Sequence, residues 1–195
     1  MLTATLLSML LAATPVIDGT INADEWKDAH HAQLEGGGEM WATNDGERLY
    51  VATRGTKNNI VSVCIGTGRY VEVLHASAAL GSAQFSGPGP EWKNEKEFRF
   101  ALKPNATAEE RAKFLESEGW IANPRREGGL EREFAIKLTG FDRRRFAVAV
   151  LYVDEPMSVA YWPATLADDC RAVRLGQGFL DRKYAFAPKG WSLTR

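Results

Sequence analysis

Trp41, Trp92 and Trp162 are the residues of this chain best suited to chemistry, and that chemistry is recognition rather than bond making. A flat indole open to solvent covers the apolar face of a pyranose ring, while neighbouring polar groups satisfy the hydroxyls. Trp92 stands between Glu91 and Lys93 beside a Gly- and Pro-rich stretch, which favours exposure. For Trp41 and Trp162 the competing reading is core packing, because large aromatic side chains are mostly buried. Trp26 and Trp191 are assigned to structure.

The remaining reactive side chains do not assemble into a catalytic set. His30 and His31 are adjacent, so on a strand they point to opposite faces and cannot chelate one ion together. No Cys-x-x-Cys, His-Glu-x-x-His or Gly-x-Ser-x-Gly occurs, and Gly66-Thr67-Gly68 lacks the third glycine and the helix of a dinucleotide site. Asp168 and Asp169 can cap a turn or hold a cation, but neighbours on one strand diverge, unlike the facing carboxylates of a glycosidase. The chain is therefore expected not to be an enzyme and to hold no metal. Cys64 and Cys170 are its two cysteines. Either they form one disulfide, closing a loop of about a hundred residues and adding up to roughly 4 kcal/mol, or they are two buried thiols that never meet. Two cysteines alone do not fix the geometry.

The elements that must position these residues are mostly strands. Residues 39–43 and 48–53 flank Asn44-Asp45-Gly46, the turn chemistry of a hairpin. Apolar, β-branched runs follow at 60–65 and 70–75, then alternating runs at 97–102, 131–138 and 146–153. Shorter strand signals lie at 158–162, 171–175 and 183–186. Residues 81–90 are dense in Gly and Pro and read as a long loop. One helix interrupts, over about 108–118. Thr107 and Glu110 form a capping box, Ala108, Ala112 and Leu115 fall on one face, and Gly119 supplies the left-handed stop. Trp120 would then meet Leu115 as the hydrophobe of a Schellman motif. About ten short strands without repeat or linker predict an all-β, antiparallel β-sandwich of immunoglobulin-like or jelly-roll type, with one inserted short helix.

Residues 2–13 are apolar or small except for Thr3, Thr5 and Ser8, and no Lys or Arg precedes them. Such a run fits the apolar region of a signal peptide and is too short to span a bilayer. Residues 1–13 are thus expected to be a signal peptide and residues 14–195 one secreted or periplasmic domain without stable membrane insertion. A net charge of -1 gives no pull toward nucleic acid. Arg125-Arg126 and Arg143-Arg144-Arg145 sit beside Gly, Pro and Asp and read as solvated loops.

The segment Thr14-Pro-Val-Ile-Asp-Gly19, followed by Asp24-Glu25-Trp26, resembles the start of family 9 carbohydrate-binding modules and the related DOMON-like sandwiches. Leu49-Tyr50-Val51 matches the family's second hairpin strand, and residues 131–137 with Gly140-Phe141, residues 145–154, Tyr161-Trp162 and residues 172–175 resemble its later strands. The resemblance implies a non-catalytic module that binds carbohydrate or another cell-envelope ligand. It also departs from the family. Sugar-binding members clamp the ligand between two tryptophans, one in a Trp-x-x-Asp-x-x-Glu stretch where this chain has residues 55–64 with no Trp and no acidic pair. The same stretch carries the acidic residues that the resemblance would imply for calcium, and residues 55–64 here contain none. Some DOMON-like domains hold haem, for which Met40, His75 and Met157 are the axial candidates here. A third class is a structural or protein-partner-binding domain whose aromatics are all core.

Overall fold

The computed structural model describes residues 14–66, 70–86, 93–123, 129–138 and 146–162. Its elements in chain order are α1 (Ala23–Trp26), β1 (His30–Gln33), β2 (Glu39–Asn44), β3 (Arg48–Arg54), β4 (Asn59–Gly66), β5 (Tyr70–Ala76), β6 (Leu80–Ser86), β7 (Lys93–Leu102), α2 (Ala108–Glu118), β8 (Trp120–Ala122), β9 (Glu131–Lys137), β10 (Phe146–Tyr152) and β11 (Ser158–Trp162). The strands form two antiparallel sheets. Sheet A has the order β1-β2-β3-β9-β8, and sheet B the order β11-β10-β4-β5-β6-β7. Their inner faces share one core that includes Met40, Leu49, Val51, Phe134 and Ile136 from sheet A, and Val61, Val63, Leu74, Phe146 and Val148 from sheet B. The expected all-β sandwich with an inserted helix is the fold of this chain.

Local chemistry accounts for the junctions. Asp45 closes the β2–β3 hairpin by accepting the backbone N–H groups of Glu47 (2.8 Å) and Arg48 (2.7 Å). At α2 the capping box is complete: Thr107 Oγ1 accepts the Glu110 N–H (3.2 Å) and Glu110 Oε2 accepts the Thr107 N–H (2.7 Å). The β1–β2 connection passes between the sheets' edges. Glu35 exchanges backbone hydrogen bonds with Tyr161 of β11 (2.9 and 2.8 Å), and the Tyr152 hydroxyl donates to the Gly37 carbonyl (2.7 Å). Gly38 takes φ +97° there, and a Cβ on it would stand 2.8 Å from both the Arg54 carbonyl and the Tyr152 hydroxyl. Only glycine meets both demands.

Four expectations need correction. Residues 81–90 are not one long loop, because β6 runs through Gly81 to Ser86, paired with β5 and, with register shifts, with β7. Pairing on both sides overrides the weak strand preference of its small residues. The buried residue of α2 is Phe114, whereas Ala108 and Ala112 are exposed. Trp120 belongs to β8, fully buried and edge-on to Phe114 at 5.2 Å between ring centres. The helix stop is a single bond from the Gly119 N–H to the Leu115 carbonyl, the simpler left-handed motif rather than a Schellman pair. The short α1, β1 and β8 carry too few residues to announce themselves by periodicity. The proposed leader, residues 1–13, and the strand signals at 171–175 and 183–186 lie outside the described residues.

Candidate functional site

The outer face of sheet A is assembled by register. Residues opposite each other in an antiparallel pair share a face. One row across β1, β2, β3 and β9 is therefore Gln33, Glu39, Arg54 and Glu131, and the next is His31, Trp41, Ala52 and Glu133. The first row is a chain of polar contacts. Gln33 Nε2 donates to Glu39 Oε1 (3.1 Å), Arg54 Nη1 lies 3.8 Å from Glu39 Oε2, and Arg54 Nε donates to Glu131 Oε1 (2.8 Å). The second row places the His31 imidazole parallel to the Trp41 indole, 4.9 Å between centres and 14° between planes. Arg54 also lies over the Trp41 ring, its guanidinium carbon 5.2 Å from the centre, within cation–π range.

Half of this face is roofed. The segment from Val16 to Trp26 lies over β9, and its polar groups converge on two carboxylates. Glu133 accepts the Gly19 N–H (2.8 Å) through one oxygen and the Trp26 indole N–H (3.1 Å) through the other. Glu131 Oε2 accepts the Ile21 N–H (2.9 Å). Gly19 has φ +94°, and a Cβ on it would stand 2.7 Å from the Asn123 amide nitrogen, so the turn needs glycine at that position. Asn22 caps α1 by accepting the Asp24 N–H (3.0 Å), which brings Trp26 down onto the sheet, where it is buried. Burial pushes the Glu133 carboxyl up to about 7, against the pull of the Gly19 and Trp26 donors and with the help of the Asp18 and Glu25 charges. The residues of the opening motif are thus the parts of a lock between the first segment and β9.

The other half, over β1 and β2 and the adjoining edge of β3, is open. The side chains of His31 and Arg54 are 47% and 43% exposed, and Glu39 is 33% exposed. Trp41 is half-buried. The patch therefore combines one indole, two carboxylates, a guanidinium, an amide and an imidazole on a sheet surface.

The other candidates lie elsewhere. Trp162 is half-buried on the inner side of β11, 5.3 Å from Phe146 and 6.3 Å from His30 between ring centres. His30 and His31 point to opposite faces, so each histidine touches a different tryptophan. Trp92 and Asp168-Asp169 fall outside the described residues. Met40 is buried in the core, Met157 is 69% exposed between β10 and β11, and His75 is on the outer side of sheet B, with Nδ1 3.4 Å from Ser62 Oγ. The three haem-ligand candidates thus occupy three different surfaces. Among the described residues, no three His, Cys, Asp or Glu side chains group as a metal site. Cys64 is fully buried on β4, no cysteine among the described residues is free, and Cys170 lies outside them. Gln33, Glu39, Arg54, Glu131 and Glu133 were not singled out from the sequence. The Asp-Gly turn carries the signal for two of them, because it fixes the register that sets Glu39 opposite Arg54.

Compared with known proteins, the chain matches no family model, no curated protein and no solved structure. What defines its class is therefore the two-sheet antiparallel sandwich with an open polar and aromatic patch on one outer face.

Proposed function

We propose that this protein is a non-catalytic exported binding module, and that its ligand surface is the open half of the outer face of sheet A, centred on Trp41. One observation carries the reading. Trp41 stands beside an alternating row of acceptors and donors, Glu39, Arg54, Glu131 and Gln33, with His31 against its ring. Aromatic surface beside bidentate donors and acceptors is the chemistry that engages a sugar's CH face and its vicinal hydroxyls. Glu39 and Glu131 both face Arg54, so one guanidinium is shared by two carboxylates and the row keeps a charge of −1; that disfavours an anionic ligand and leaves carboxylate acceptors for the hydroxyls of a neutral polyhydroxylated one. The ligand class is carbohydrate or a polyol of the cell envelope, in agreement with the resemblance of the opening motif to carbohydrate-binding modules. The patch is an open sheet surface and does not exclude water as a reaction site would.

Export and a Cys64–Cys170 disulfide belong to the same reading, supported by the apolar leader and by the lack of a free cysteine among the described residues. A second reading, a domain that binds a protein partner and no small ligand, draws on the contacts of His31 and Arg54 with the Trp41 ring. Those contacts are made by half-exposed side chains and cost a ligand little to displace.

A glycan array probed with the chain from Thr14 onward, wild type and Trp41→Ala, tests the proposal. The expected result is a defined glycan hit that Trp41→Ala loses while its circular dichroism stays that of the wild type. A hit that survives Trp41→Ala moves the site elsewhere, and a blank array favours the protein-partner reading.

A further inference from the structure

Residues 14–21 lie on sheet A without belonging to it. They form neither helix nor strand, and among the described residues no backbone–backbone hydrogen bond joins them to a neighbour. Their N–H groups go to carboxylates instead. Val16 donates to Glu25 Oε2 (3.2 Å), Gly19 to Glu133 Oε2 (2.8 Å) and Ile21 to Glu131 Oε2 (2.9 Å), while Thr20 turns back on Asp18 Oδ1 (2.8 Å). Apolar anchoring is partial: Pro15 is buried, but Ile17 and Ile21 are half-buried and Val16 is exposed. Trp26, by contrast, is buried and fixes the far end of the segment. The near end is therefore held to β9 through titratable groups. The charges that act on Glu133 from above, Asp18 and Glu25, are both acidic. On its own strand Glu131 is paired with Arg54 of β3 (2.8 Å), and the groups beside Glu133 on β3, β8 and α1, namely Ala52, Asn123 and Trp26, carry no charge.

We propose that residues 16–21 form a strap that lets go of β9 as the solution passes from acid to neutral, and that its release uncovers the β9 end of the ligand surface. Under the closed strap the Glu133 carboxyl is buried beside like charges, so its ionised form is disfavoured there and becomes ordinary once the strap lifts. Below the ordinary 4.5 the open and closed forms both keep the proton, and the strap is tightest. Between 4.5 and about 7 only the open form gives the proton up, so opening becomes easier. Above about 7 both forms are ionised and the opening constant levels off. The whole rise is at most about 300-fold. Lifting frees Glu131 Oε2 and Glu133 Oε2. These residues end the two rows that run through Arg54 and Trp41, so the open strap adds hydroxyl acceptors to the face that carries the indole. This consequence for binding rests on the reading of the Trp41 face proposed above, whereas the strap itself does not.

Amide hydrogen exchange of Gly19 and Ile21 tests the strap, read by NMR on the full chain from about pH 4.5 to 8 and corrected for the intrinsic pH dependence of exchange. The expected opening constant climbs by up to about 300-fold and levels off near pH 7. A flat profile overturns the proposal. Exchange of Gly19 and Ile21 no faster than that of Val51, a central-strand amide, means that they open only with the whole domain and overturns the strap as well. Glu133→Gln should abolish the rise. Asp18→Asn keeps an acceptor for Thr20 but removes a like charge, so it should shrink the rise, and it serves if Glu133→Gln does not fold. A rise of undiminished size in either variant overturns the assignment to Glu133. The glycan array, run at about pH 5 and again at about pH 7.5, tests the coupling to binding. Hits that strengthen at the higher pH support it. Hits of equal strength at both, with the exchange profile as expected, overturn the coupling. A blank array with the expected exchange profile supports the strap and overturns the carbohydrate reading.

Discussion

Glu133 holds both ends of the N-terminal lock with a single carboxylate, and its chemistry makes the lock sensitive to pH. Burial raises this carboxyl from the ordinary 4.5 to about 7 in the folded protein. An acid whose folded value is raised contributes stability that is fully present below its unfolded value and is lost as pH rises through the folded value. Between about pH 4.5 and 7 the wild type should therefore lose stability relative to Glu133→Gln, by at most about 3 kcal/mol. Denaturant titrations of both proteins across that range check this, and parallel curves would contradict it. Glu133→Gln carries a constant loss as well, because an amide has one acceptor oxygen for two donors. The same comparison cancels Asp45. Burial raises that carboxyl, but the Arg48 N–H, the Tyr50 hydroxyl and the Glu47 N–H outweigh it and hold it below its usual range. At the open patch, Trp41→Ala should cost about 1–2 kcal/mol of stability through its lost ring contacts, measured by thermal unfolding, while removing ligand binding.

At the scale of elements, the joints carry the testable content. Gly38→Ala brings a Cβ against the Arg54 carbonyl and the Tyr152 hydroxyl at a positive φ, so it should destabilise by about 2–3 kcal/mol in denaturant titration. Thr107→Ala removes one acceptor of the α2 capping box and should cost about 1 kcal/mol by the same method. These elements also show what a linear reading reaches. The capping box and the Asp-Gly hairpin are local, and both are formed where their residues stand in the sequence. The β6 strand was hidden because Gly81 looks like a loop residue until β5 and β7 supply partners on either side. The stop of α2 was legible at Gly119, but that Phe114 is the buried residue of the helix and lies edge-on to Trp120 depends on where β8 and β9 lie. The lock at Glu133 was out of reach, since Gly19 and Glu133 are 114 residues apart and only the sheet register brings them together.

For the whole molecule, the two outer faces divide the work. Sheet A carries charged and aromatic residues outward and is half roofed by its own N-terminal segment. Sheet B carries small apolar residues outward and is buried. The sequence pattern gave the sandwich, but not which face stays open, because alternation along a strand distinguishes two sides without saying which one meets water. The open face is the one on which a ligand has to land. The most direct measurement is an NMR titration of the six tryptophan indole N–H signals with the oligosaccharide selected on the array. The prediction is a saturable shift of the Trp41 signal, with Trp26 and Trp120 unmoved as internal controls because both are buried. A shift confined to Trp92 or Trp162, with Trp41 still, would contradict the account.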